Sequence, residues 1–128
     1  MLFIYRFLIN IILITSPIIF LFRVYKKKEN LKSYIEKLGF SSKRKNRGNL
    51  IWFHGASVGE LQSIIPLLER FEKEKKITQI LVTSNTLSSS KIIQKQKLKK
   101  TIHQFFPIDT NYNTYKFLEY WDPSIAIF

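Results

Sequence analysis

The chain has no cysteine, two histidines and four glycines in 128 residues. Without thiols there is neither a disulfide framework nor a thiolate metal site, and His54 and His103 cannot by themselves close a zinc site, so no metal is expected. Acidic residues are scarce as well: nine Asp and Glu stand against 21 Lys and Arg, a formal net charge of +12. Such basicity implies an anionic partner, and composition alone admits nucleic acid, anionic lipid headgroups and phosphorylated substrates.

Charge is missing altogether from residues 7–22. The opening stretch MLFIYRFLINIILITSPIIFLF is apolar except for Arg6, Asn10 and the Thr15-Ser16-Pro17 interruption. A helix over 7–22 would reach roughly 24 Å, a little short of a hydrocarbon core of about 30 Å. Snorkelling of Arg6 lets the helix extend back to Met1, so a short or tilted span is feasible, as is a monotopic helix broken near Pro17. A cleaved signal peptide is the competing reading, but no small-x-small site follows, and the run gives way directly to Arg23, Lys26, Lys27 and Lys28. Residues 1–25 are therefore read as a retained membrane anchor. Ten basic residues against two acidic ones between Arg23 and Leu50 place this flank, and the soluble portion after it, on the cytoplasmic side.

Residues 26–49 read as a basic juxtamembrane helix and linker. Leu31, Tyr34, Ile35 and Leu38 recur at helical spacing, and Gly39 suits the residue that ends the helix. SSKRKNRGN follows, either as a solvated loop or as a contact for anionic lipid headgroups or phosphate. From Leu50 onward apolar strands over 50–54, 77–83, 102–107 and 123–128 alternate with helices over 60–75, 88–99 and 112–120. This alternation implies an α/β fold with a Rossmann-like parallel sheet and crossover helices over 50–128. The last strand stops with the chain still in its apolar run, as if the domain were incomplete. KIIQKQKLKK carries five lysines between Lys91 and Lys100. No aromatic residue interleaves to stack bases, so a solvated helix face is expected there and no nucleic-acid partner.

The most informative stretch is IWFHGASVGE, where an apolar strand enters a small-residue turn and then a helix. Ligands of open parallel sheets bind outside the carboxyl ends of the strands, where this turn would sit. Gly55, Ala56 and Gly59 allow close backbone approach, and free amides at a helix start can hold an anion. The same spacing fits a capping box, in which Ser57 accepts from the helix amides and Glu60 reaches back to the amide of Ser57. His54, at the strand end, is read either as structural or as a substrate contact.

HGASVGE after an apolar strand and before a helix containing Pro66 resembles the signature of the 3-deoxy-manno-octulosonic acid (Kdo) transferases. VTSNTLSSSK is similar to the hydroxyl-rich turn of that family, with Ser89 where glycine is usual, and FFPIDTNYNTYKFLEYWDPSIAIF to its Pro-x-Asp turn, helix and Asp-Pro-entered strand. The resemblance covers nearly the whole chain. It implies the first part of a GT-B glycosyltransferase of the bacterial inner membrane, which moves Kdo from CMP-Kdo, a substrate and not a cofactor, to lipid IVA. Glu60 then takes the place of the general base. His54, Gly55, Ser57, Gly59, Thr83 and Ser84 would line the acceptor edge, Thr83 and Ser84 being read in the first place as loop and cap residues. Asp109 would cap its turn or the helix after it. CMP-Kdo would be held by a second domain beyond this chain, so the chain alone is expected to be inactive. The alternative is a small membrane-anchored basic protein that binds anionic lipid or a protein partner without catalysis.

Overall fold

In the computed structural model, which describes residues 1–26 and 31–128, five helices and four strands follow one another as α1 Leu2–Tyr25, α2 Leu31–Lys37, β1 Asn49–His54, α3 Val58–Glu72, β2 Ile77–Ser84, α4 Leu87–Lys95, β3 Thr101–Phe105, α5 Asn111–Trp121 and β4 Ile125–Ile127. Lys27 and Lys28 of the expected basic flank lie outside the described residues.

The strands pair in the order β3-β2-β1-β4, every pairing parallel. Alternation along β1 shows why both faces must be covered. Ile51 and Phe53 pack with Leu61 and Leu68 of α3, Val82 of β2 and Ile93 of α4. Leu50 and Trp52 point the other way, to Leu81, Phe117 and Trp121. Strands apolar on both sides are what a sheet with helices on both faces requires. α3 and α4 carry the chain outward from β1 to β3, and α5 brings it back past β1 to β4. The strand order therefore reverses between β1 and β4, and a crevice opens at their carboxyl ends.

Each of the three helices that follow a strand starts on a hydroxyl cap. Ser57, Thr86 and Thr110 accept from the amides of Glu60, Ser89 and Asn113. Ser89 fits without disturbance, because its own hydroxyl accepts from that of Thr86 at 2.9 Å. α4 ends at Lys95, short of the expected 99. Lys97 turns left-handed, with φ 51°, which lets Leu98 fold back onto the apolar core before β3 begins. Only Lys91 and Lys95 of the lysine run therefore lie on a helix.

α2 is turned differently from its sequence pattern. Its buried residues are Ser33 and Glu36, while Leu31 and Ile35 are 63% and 39% exposed. The reason is the free edge of β3, whose amides need acceptors. The Glu36 carboxylate accepts the Phe105 N–H at 2.8 Å and the Ser42 hydroxyl. Gly39 ends the helix at φ +88°, where an added Cβ would lie 2.6 Å from the Asn113 carbonyl oxygen of α5. Only glycine combines that conformation with so close an approach.

α1 continues through Pro17, so of the two forms the sequence allowed the unbroken one is present. It meets the rest of the chain at separate points: the Tyr5 hydroxyl donates to Asp109 Oδ2 at 2.5 Å, Ser16 and Tyr34 share a hydroxyl hydrogen bond of 2.9 Å, and Phe20 stacks on Tyr34 at 4.4 Å. Asp109 thus holds α1 and does not cap; the cap of α5 is Thr110.

Candidate active site

β1 runs out at His54, and Gly55, Ala56 and Ser57 turn the chain into α3. The two glycines of this turn serve different ends. A Cβ on Gly55 would meet Leu61 Cδ2 at 2.6 Å, so the missing side chain lets α3 close onto the strand, and the Gly55 N–H donates to the Thr83 carbonyl at 3.1 Å. A Cβ on Gly59 would meet nothing within 4 Å. The first turn of α3 is therefore bare and open above the crevice.

Glu60 stands on that bare turn, exposed. Its amide donates to Ser57 Oγ at 3.2 Å, as a capping box requires, but its carboxylate reaches one residue further back than the sequence suggests. Glu60 Oε2 accepts from the Ala56 N–H at 2.8 Å instead of the Ser57 amide. Ser57 is extended, with φ −121° and ψ 161°, and the Ala56 amide is the one aimed at the helix start. Glu60 Oε1 has no hydrogen-bond partner among the described residues. The carboxylate is thus fixed by one oxygen and presents the other, at a helix end whose dipole favours negative charge.

His54 flanks this carboxylate. Its Nδ1 lies 2.9 Å from Thr83 Oγ1, and its ring packs on Phe106 with centroids 4.3 Å apart. Burial holds the imidazole below its ordinary pKa, opposed by a hydrogen bond to the Thr83 backbone and by the charge of Glu60, so the ring is neutral at pH 7. Thr83 Oγ1 also accepts from the Trp52 indole N–H at 2.9 Å, and Ser84 Oγ lies 2.6 Å from His103 Nε2. Both residues are fully buried. The turn thus brings His54, Gly55, Ser57, Gly59 and Glu60 together, whereas the hydroxyls of Thr83 and Ser84 sit beneath the crevice and do not line its surface.

Residues that the sequence pattern did not single out complete the walls. Phe106 and Phe128 follow β3 and β4, and both pack on Trp52, at 6.2 and 4.9 Å between centroids. Their signal was register: in a parallel sheet the residues after each strand converge on one edge. A groove of about 400 Å³ separates α1, at Ser16, Ile19 and Phe20, from Asn85, Thr86 and Ile108, which follow β2 and β3. Among the described residues no group of three or more His, Cys, Asp or Glu side chains is placed to hold a metal ion.

Residues 32–128 match the sequence model of the family described as 3-Deoxy-D-manno-octulosonic-acid transferase (kdotransferase). Among curated proteins, the chain is 33% identical over 128 residues to a probable 3-deoxy-D-manno-octulosonic acid transferase, mitochondrial, of Arabidopsis thaliana, covering 98% of this chain and 29% of the relative. It is 35% identical over 124 residues to a 3-deoxy-D-manno-octulosonic acid transferase of Rickettsia bellii, covering 97% of this chain and 30% of the relative. The corresponding figures for Rickettsia felis are 44% identity over 80 residues, 62% and 17%. The chain therefore spans less than a third of the length of these relatives. No solved structure gives a significant match.

Proposed function

Because the chain belongs to the 3-deoxy-D-manno-octulosonic-acid transferase family, we propose that it supplies the acceptor side of a glycosyltransferase that moves Kdo from CMP-Kdo to lipid IVA in lipopolysaccharide assembly, with Glu60 as general base. The posture of Glu60 carries this assignment: one carboxylate oxygen is pinned by Ala56, and the other faces an open turn. A sugar hydroxyl is a weak nucleophile. A carboxylate within hydrogen-bond reach takes its proton as the new bond to the anomeric carbon forms, while CMP departs from the opposite face with inversion. Gly59 leaves room for the acceptor sugar, and neutral His54 offers it a hydrogen bond from beside the base. Gly55 and Ser57 shape the turn, and Thr83 and Ser84 fix it from beneath. The nucleotide is the leaving group, so no cofactor is invoked. In this scheme CMP-Kdo is held by a second domain.

α1, 24 residues long, is apolar enough to cross a membrane. Its contacts at Tyr5 and Phe20, roughly 22 Å apart along a helix, instead favour an anchor lying in the membrane surface beside the domain. Exposed Leu31, Ile35 and Phe40 add apolar surface to such an anchor, on the cytoplasmic side of a bacterial inner membrane. The groove beside α1 then lets a lipid acceptor reach the carboxyl edge of the sheet without leaving the bilayer.

The test is transfer of Kdo from CMP-Kdo to lipid IVA by protein that contains this stretch together with a donor-binding domain, compared with its Glu60→Gln variant. Loss of turnover in a folded variant supports the base assignment, and wild-type turnover removes it. Robust turnover by residues 1–128 alone would remove the second-domain scheme.

A further inference from the structure

A second cavity, of about 200 Å³, lies at the outer edge of the sheet, between α2, the segment after it, α4 and β3. Lys32 comes to it from α2, Lys43 from the linker and Lys97 from the left-handed turn that ends α4. Lys32 and Lys43, from separate segments, both line the cavity and lie near enough for Lys32 to lower the pKa of Lys43. Two like charges so placed repel, and the partial burial of Lys43 weakens the solvent screening between them.

The neighbours do not remove this surplus. Among the described residues the cavity has one carboxylate, Glu36, which already accepts from the Phe105 amide and the Ser42 hydroxyl. His103 adds no charge of either sign at pH 7: burial first, and then the charges of Lys43 and Lys32, hold its imidazole at a pKa of about 4. Among the described residues three lysines therefore stand against one carboxylate. Lys43 is held below the ordinary lysine pKa, chiefly by its contact with Lys32 and then by burial. An anion of two charges between the lysines would cancel the surplus and turn their repulsion into two charge-assisted hydrogen bonds.

We propose that this cavity binds a phosphate group, held between the Lys32 and Lys43 ammonium groups with Lys97 at the rim. The inference rests on the placement of these charges and not on the role of Glu60, so either can fail alone. The phosphate is a monoester or the free ion, and two sources share that chemistry. One is a lipid headgroup, within reach because α2 also touches the anchor through Tyr34; the other is free phosphate.

The experiment uses the full chain in a non-ionic detergent, titrated with inorganic phosphate at constant ionic strength and followed by calorimetry and by the NMR signals of the His103 ring. Saturable binding is expected, weakened about tenfold or more in Lys32→Gln and in Lys43→Gln, as loss of a charge-assisted hydrogen bond implies. Lys43→Arg should restore it. A Lys91→Gln/Lys95→Gln double variant, which removes two charges from α4 outside the cavity, should bind as the parent does. Absence of saturable binding, or equal weakening in the α4 variant, overturns the proposal. Lys32 is exposed, so its replacement keeps the fold intact if Lys43→Gln does not. Sedimentation with vesicles of phosphatidylcholine, with and without phosphatidic acid, identifies the source. Dependence of vesicle binding on Lys32 and Lys43 assigns the site to a lipid headgroup, and loss of inorganic phosphate binding alone assigns it to the free ion.

Discussion

Replacing Glu60 by Gln separates the two tasks its side chain can perform. The amide oxygen of Gln can still accept the Ala56 N–H that now lies 2.8 Å from Oε2, and Gln is an accepted partner in a capping box. What the fold loses is a negative charge at a helix start, about 0.3–1 kcal/mol. What the chemistry loses is the proton acceptor, for which general base catalysis predicts a fall of about 10²–10⁴ in turnover. On the barrier that is about 3–5 kcal/mol, several times the stability effect. Glu60→Ala should lose both, with a further ~1 kcal/mol of stability for the missing hydrogen bond. Thermal denaturation reads one quantity and Kdo transfer by protein that includes a donor-binding domain reads the other. Turnover of Glu60→Gln within about threefold of the parent would leave Glu60 as a cap alone.

The two glycines of the turn should respond in opposite senses. Gly55→Ala forces a methyl against Leu61 and should cost about 1–3 kcal/mol in urea denaturation, whereas Gly59→Ala should stabilise α3 by about 0.5–1 kcal/mol while obstructing transfer; equal effects would contradict the geometry. Glu36→Ala orphans the Phe105 amide and should destabilise by about 1–3 kcal/mol, with no measurable change counting against the edge-sealing role. His103, with a folded pKa of about 4 below an unfolded value near 6.5, contributes stability present above pH 6.5 and lost as the pH falls toward 4. Urea melts at pH 7.5 and 5 should differ by about 2 kcal/mol from this group, a difference that His103→Asn abolishes if the assignment is right. In a chain without cysteine, a Tyr5→Cys/Asp109→Cys pair should be joined by a short bis-maleimide in membranes if α1 lies beside the domain, and stay unjoined if α1 projects across the bilayer.

The order of elements was legible because buried parallel strands leave short apolar runs, and the structure places each within a few residues of its expected position. The start of α3 was legible for a local reason, since Ser57 satisfies an amide three residues away, whereas the cap of α5 was expected on Asp109 and is Thr110. What could not be read depended on partners distant in sequence. The outward turn of Leu31 and Ile35 follows from Glu36 finding the Phe105 amide, 69 residues on, and Asp109 serves Tyr5 across 104 residues. Within the site, HGASVGE located the turn and its glutamate. Which amide the carboxylate takes depends on the extended backbone of Ser57. The burial of Thr83 and Ser84 depends on Trp52 and His103 offering them partners inside.

The carboxylate of Glu36 on the Phe105 amide also gives the sheet a direction of growth. β3 is closed at its carboxyl end by that contact, while β4 pairs with β1 on one side only. One edge of the sheet is thus blocked and the other, along β4, is open to pairing. As a chain leaves the ribosome from its amino terminus, the lines of hydrogen bonds already formed are then shielded on the side where a stray segment would otherwise compete. A single buried side chain thus keeps the β3 edge of the sheet shut.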